Sequence, residues 1–192
     1  NAVNVEIQIQ PTLTPTAVVV DDLESSVTLT EAQAQAGGFV LDNAVQVNYN
    51  GAGNFNTGTL TVSYLSNTSR VDDQLAIRNQ GSGPNEVGIS GTAVSFQGSE
   101  IGTLSSTLNG ANGSALQITW NASATDQGIE RVIENLTYRT TSDGPNASRN
   151  IRFVLTDSTG AASTARDMQI NVTPQVDGAS PIFGEQQVNT YE

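Results

Sequence analysis

The sequence predicts an all-β fold, an antiparallel β-sandwich with one short helix, and three observations favour it. Apolar and polar residues alternate with a period of two along most of the chain, as in strands that bury one face. Turn-forming pairs rich in Gly, Asn and Pro separate these stretches. Only one segment, near 126–135, spaces its apolar residues as a helix does.

The predicted strands follow this alternation along the chain. Their Val, Ile and Thr side chains are branched at Cβ and pack well on a pleated surface. Many short strands joined by tight turns are typical of a sandwich. Strands are predicted at 3–9, 27–29, 45–47, 60–64, 116–120 and 168–172, and turns at 50–51, 81–84, 109–110, 112–113 and 143–145.

The predicted helix crosses between the two sheets. Thr125 or Asp126 is the expected N-cap, since short oxygen-bearing side chains satisfy the first free N–H groups of a helix. The residues at helical spacing are Ile129, Val132, Ile133 and Leu136. The charges between them are expected on a solvated face, and they are Glu130, Arg131 and Glu134.

The composition excludes several classes of function. The chain has seven arginines and 19 acidic residues, so its net charge is −12. It has no lysine, histidine or cysteine. Thiol nucleophiles, Schiff-base lysines, histidine bases and disulfides are therefore excluded in this chain, and no enzymatic activity is expected. A polyanion does not bind nucleic acid, and no apolar run is long enough for membrane insertion. Such an acidic composition, rich in Thr, Asn and Gly, is common in exported surface proteins, so an extracellular location is expected.

The predicted domain organisation is one sandwich followed by a tail. Residues 1–173 form the sandwich, with a hairpin at 157–163 before its last strand. Residues 174–192 are a Pro- and Gly-containing linker plus an extended strand. That strand belongs to, or pairs with, the next repeat or subunit.

Several segments occur in the order found in one class of surface-protein repeat. Residues 155–183 resemble the closing signature of cadherin-like repeats, with an Asp-x-x-Gly hairpin, a final alternating strand and an acidic linker. The middle of the chain is similar to repeats of giant bacterial adhesins exported by type I secretion, which are calcium-dependent surface proteins. The resemblance implies an immunoglobulin/cadherin-like sandwich that serves as a spacer or adhesive repeat, with calcium at the junctions. It rests on GTLTVSYLSN (58–67), LQITWNASAT (116–125) and the segments 72–104 and 132–164.

The same resemblance implies a set of calcium ligands. Calcium takes six to eight oxygen ligands, and Asp21-Asp22-x-Glu24 is the densest acidic cluster. By position in the repeat, the ligands are Asp21, Asp22, Asp157, Asp177 and Glu192 of the neighbouring unit. The linker departs from the usual pattern because it offers a single carboxylate. Alternatively, these carboxylates cap turns and keep the surface soluble. Asp72-Asp73 either pairs with Arg70, forms a second ion site or closes an Asx-turn.

The two termini suggest how copies assemble. Joined tail to head they read TYE-NAVNVEIQI, the opening pattern of such repeats. We expect residues 182–192 to extend away from the sandwich and to pair with another copy, by tandem linkage or donor-strand exchange. The strand-donor residues are Ile182, Phe183, Val188 and Tyr191.

Two functions follow as expectations. The first is a non-enzymatic structural repeat of an extracellular adhesin or surface filament, assembled head to tail. The alternative is a carbohydrate-binding module, which needs an exposed aromatic platform; Trp120 is nevertheless expected in the core. Six sequons are glycan-acceptor candidates in a glycosylating host, at Asn67, Asn112, Asn121, Asn135, Asn146 and Asn171.

Overall fold

A computed structural model describes residues 18–51, 53–65, 68 and 70–175. These residues form thirteen strands and two helices, and the predicted all-β sandwich is confirmed. The strand predicted at 3–9 and most of the tail predicted at 174–192 lie outside the described residues.

The larger layer is an eight-stranded sheet. Its strand order is β2-β13-β12-β5-β10-β9-β8-β7, and all pairs are antiparallel except β2 with β13, which are parallel. Every second residue of a strand faces the core, as Ile151, Phe153 and Leu155 do on β12. Its strands are β2 (Ser26–Thr30), β5 (Thr59–Tyr64), β7 (Val87–Ser90), β8 (Ala93–Phe96), β9 (Ser99–Asn109), β10 (Leu116–Trp120), β12 (Ser148–Leu155) and β13 (Arg166–Thr173).

The second layer consists of two smaller sheets. One has the order β3-β11-β6, and the other pairs β1 with β4. The first described stretch of chain therefore contributes to both layers, because β1 pairs with β4 while the next strand, β2, pairs with β13. The strands of this layer are β1 (Val18–Asp21), β3 (Phe39–Val40), β4 (Gln46–Tyr49), β6 (Asp73–Ile77) and β11 (Leu136–Thr140).

Helix α2 (Asp126–Ile133) lies where the sequence predicts it, between a strand of each layer. The Thr125 hydroxyl caps it by accepting from the Gly128 N–H at 3.1 Å. Ile129, Val132 and Ile133 are buried between the layers, which is why an amphipathic helix is stable here.

Helix α1 (Glu31–Gln35) was not predicted. It has only five residues, too few to show a periodic pattern, but Thr30 and Gln33 form a capping box at its start. The predicted hairpin at 157–163 is confirmed, since Thr156 and Ala162 form a bridge between β12 and β13. Among the described residues, neither helix is long and apolar enough to cross a membrane.

Candidate functional site

The described chain begins at one end of the sandwich, here called the entry end, and finishes at the opposite end, the exit end. At the entry end, Val18 lies opposite Tyr49, whose hydroxyl donates to Asp157 at 3.2 Å in the turn between β12 and β13. From that turn β13 runs the length of the sheet, about 23 Å for seven residue steps. At the exit end, the Gln175 N–H donates to the Glu31 carboxylate at 2.8 Å. Of the predicted junction residues, Asp21, Asp22 and Asp157 therefore belong to the entry end.

Asp157, a predicted calcium ligand, organises the turn that carries it. Its Oδ1 accepts from the Thr159 N–H at 2.8 Å, the Thr159 hydroxyl at 2.7 Å and the Ala161 N–H at 3.0 Å. Burial by itself raises the pKa of Asp157. The hydrogen bonds from Thr159, Ala161 and Tyr49 outweigh burial, so the pKa lies below its ordinary value.

Asp21 ends β1, and Asp22 follows it in a different setting. The Asp21 carboxylate accepts from the Arg166 guanidinium at 3.2 Å, and the same guanidinium donates to the Val20 carbonyl at 2.9 Å. Asp22 turns the chain with a φ of 56°, a left-handed conformation that Asp tolerates better than most residues. A cleft of about 230 Å³ lies beside this strand. It is lined by Val18, Val19, Val20, Asp21, Asn50, Thr164 and Arg166.

The two predicted calcium ligands Asp21 and Asp157 already have protein partners. Calcium needs several oxygens converging on one point, whereas Asp21 is held by Arg166 and Asp157 by its own turn. Within the described ranges, no three acidic side chains gather in an arrangement that suits a metal. The other two predicted ligands, Asp177 and Glu192, lie outside these ranges.

The carboxylates of α2 cover the free edge of β4. The Tyr49 N–H donates to Asp126 at 3.3 Å, and the Val47 N–H donates to Glu130 at 3.2 Å. The spacing suits both elements, because four residues of helix rise about 6.0 Å and two residues of strand about 6.7 Å. The side of the helix therefore supplies the acceptors that a neighbouring strand would otherwise supply.

The solvated face predicted for α2 is thus wrong in part. Glu130 is half-buried against β4, and Glu134 is only 8% exposed, with its carboxylate 2.8 Å from the Arg131 guanidinium. Burial raises the pKa of Glu134, although the charge of Arg131 acts in the opposite direction. Polar residues on a helix indicate a solvated face only when no other element packs against that face. In this protein β4 packs there.

An ion pair between the layers was not predicted. Asp73 and Arg149 are both fully buried, and the guanidinium contacts the carboxylate through Nε and through Nη2, the latter at 3.1 Å. The Tyr138 hydroxyl donates to the same carboxylate at 2.7 Å. The neighbouring residue Asp72 pairs with Arg70 at 3.5 Å, which is one of the alternatives predicted for Asp72-Asp73. The alternating pattern of each strand places Asp73 and Arg149 on the buried face, so the sequence did show that both charges face inward.

Within the part of the chain that the structure describes, the aromatic side chains do not form an exposed platform for sugar stacking. Trp120 is 2% exposed, as expected of a core residue, and Tyr138 is fully buried. Tyr49 and Tyr64 are half-buried, and Tyr49 packs against Phe55 with ring centroids 4.9 Å apart. Tyr191 lies outside the described residues.

The sequons differ in accessibility. Asn112 and Asn146 are exposed, whereas Asn121 and Asn171 are half-buried. Asn135 is buried, and its amide is held between the Arg78 side chain and the Arg131 carbonyl, so the folded chain does not present it to a glycan-transferring enzyme. Asn67 and the strand-donor residues Ile182, Phe183, Val188 and Tyr191 lie outside the described residues.

No protein-family model matches the sequence, and no curated protein matches it.

Proposed function

We propose that the protein is a non-enzymatic structural repeat of an extracellular adhesin or surface filament, and that copies are arranged head to tail. One observation carries the proposal: Val18 and Gln175 lie at opposite ends of the sandwich. Units joined through these two ends would each add the full length of the sandwich to an array. A unit whose two ends lay side by side would add little length.

Two of the sheet edges, those of β4 and β7, also favour assembly along this axis. Free strand edges invite lateral pairing between molecules. The edge of β4 is covered by Asp126 and Glu130. On β7, the Asn79 amide both accepts from the Ile89 N–H and donates to the Ile89 carbonyl, each at 3.2 Å. These contacts satisfy backbone groups that a second molecule would otherwise bind.

A two-copy chain tests the proposal. Two copies of residues 1–192 joined directly are expected to give, by small-angle X-ray scattering, a maximum dimension close to twice that of one copy. A variant with a long Gly/Ser insertion between the copies is the control for an unordered junction, and it should give a broader distribution of dimensions. A maximum dimension little larger than that of one copy would refute the head-to-tail arrangement.

Calcium at the junction is tested separately. Melting curves of the two-copy and one-copy chains are compared in calcium and in chelator. The resemblance predicts a lower Tm in chelator, most clearly in the two-copy chain, because it implies that Glu192 of one unit is a calcium ligand at the junction with the next. Identical curves would remove calcium from the proposal and leave the arrangement of the copies to the scattering experiment.

A further inference from the structure

The first described segment is joined along its length to the last. The Arg166 guanidinium at the start of β13 binds the Val20 carbonyl and the Asp21 carboxylate. Next, the Gln169 N–H donates to the Ser25 carbonyl at 2.9 Å, and β2 continues this ladder for five residue pairs. Finally the Gln175 N–H donates to Glu31, directly after β2. Segment 20–31 and segment 166–175 are thus held together by three successive groups of bonds.

The two segments run parallel, and this fixes how a load acts on them. Ser26 pairs with Gln169 and Thr30 with Thr173, so both strands point from the entry end to the exit end. A pull on the preceding chain draws β2 towards the entry end, through Val18. A pull on the following chain draws β13 towards the exit end, through Gln175. The strands are therefore displaced along their length in opposite directions.

We propose that the joined segments 20–31 and 166–175 form a shear clamp that gives the sandwich its resistance to unfolding under tension along the chain. This inference rests on the proposed function, since only a unit within an array bears such a load. In shear, all bonds between two strands carry the load together and must fail together. In unzipping, the bonds fail one after another from one end. The same pull also shears β1 against β4, which adds to the resistance.

The direction of pulling separates the two modes. The chain has no cysteine, so engineered cysteines define the attachment points without background. Asn1→Cys with Glu192→Cys loads the clamp in shear. Ala36→Cys with Glu192→Cys applies the load at the exit end, because Ala36 directly follows α1 and is exposed. In this geometry the pull unzips β2 from β13. Both variants comprise residues 1–192 and are held at the same constant force in optical or magnetic tweezers.

Unfolding is expected to be at least about a hundredfold slower in the shear geometry, because several hydrogen bonds must break at once and each changes the rate several-fold. Equal unfolding rates in the two geometries would overturn the proposal. That outcome would leave the head-to-tail arrangement untouched, since scattering from the two-copy chain tests the arrangement without any load.

A side-chain variant then tests the part of Arg166. Arg166→Leu should speed unfolding about tenfold in the shear geometry, because bonds donated by a charged group are lost. It should change the rate little in the exit-end geometry, where Arg166 is reached last. Arg152→Leu is the matched control, since Arg152 is similarly exposed but its partner Asp167 joins β12 to β13, so that this pair does not connect the two segments of the clamp. Two results would remove Arg166 from the clamp. The first is that both variants speed unfolding equally in the shear geometry, and the second is that Arg166→Leu speeds unfolding in both geometries.

Discussion

The buried ion pair between the layers gives the sharpest prediction on stability. Replacing Arg149→Met removes a guanidinium that donates twice to the Asp73 carboxylate and twice to backbone carbonyls, at 2.9 Å from Asn146 and 3.1 Å from Ser148. The carboxylate stays fully buried, with only the Tyr138 hydroxyl and the Arg70 N–H as donors. An uncompensated buried charge of this kind costs about 3–5 kcal/mol. For a domain of this size, Tm should fall by about 10 °C.

The assay is urea and thermal unfolding followed by circular dichroism and by the fluorescence of Trp120, which is buried in the same core. The double variant Asp73→Leu/Arg149→Met should be more stable than Arg149→Met alone, because no buried charge is left unpaired. Arg152→Met is the control, since it breaks an exposed pair with Asp167 and should cost about 1 kcal/mol or less.

Two results would refute this reasoning. The first is a cost for Arg149→Met no greater than that for Arg152→Met. The second is a double variant that is less stable than the single one, which would mean that volume and packing, and not charge, determine the loss.

Three further predictions concern a turn carboxylate, a glycine and a strand edge. Because its folded pKa is lowered, Asp157 stabilises the fold above its unfolded pKa of about 3.9, and this contribution disappears as the pH falls through the folded pKa. In urea titrations carried out in chelator, Asp157→Asn should therefore lose less free energy of unfolding on acidification than the wild type does. Gly110→Ala should cost about 3 kcal/mol in urea unfolding, because Gly110 has a φ of 81° and an added Cβ would collide with the Leu75 carbonyl. Asn79→Ala should cost about 1 kcal/mol and should cause concentration-dependent light scattering, since it uncovers the backbone of Ile89; scattering equal to the wild type would show that this edge needs no cover.

Where the chemistry is local, the sequence determined the structure. The period of two placed β5, β10 and β13 because a strand with one buried face must alternate. The N-cap Thr125 and the apolar spacing that follows placed α2, since both signals act within one or two turns of helix. Trp120 was expected in the core because it stands in the inward phase of a strongly apolar strand. In each case the residues that decide the outcome are near neighbours in the chain.

Where partners are distant in sequence, only the tertiary structure decided. Asp73 meets Arg149 from 76 positions away, and α2 meets β4 from 77 and 83 positions away. The alternation shows that a charged residue faces inward but does not show which opposite charge it meets. Likewise, the acidic cluster at Asp21 predicts ligands only if nearby carboxylates converge, and folding brings Arg166 to it instead. Long-range pairing depends on which strands become neighbours, because only the packing of the whole chain selects one arrangement.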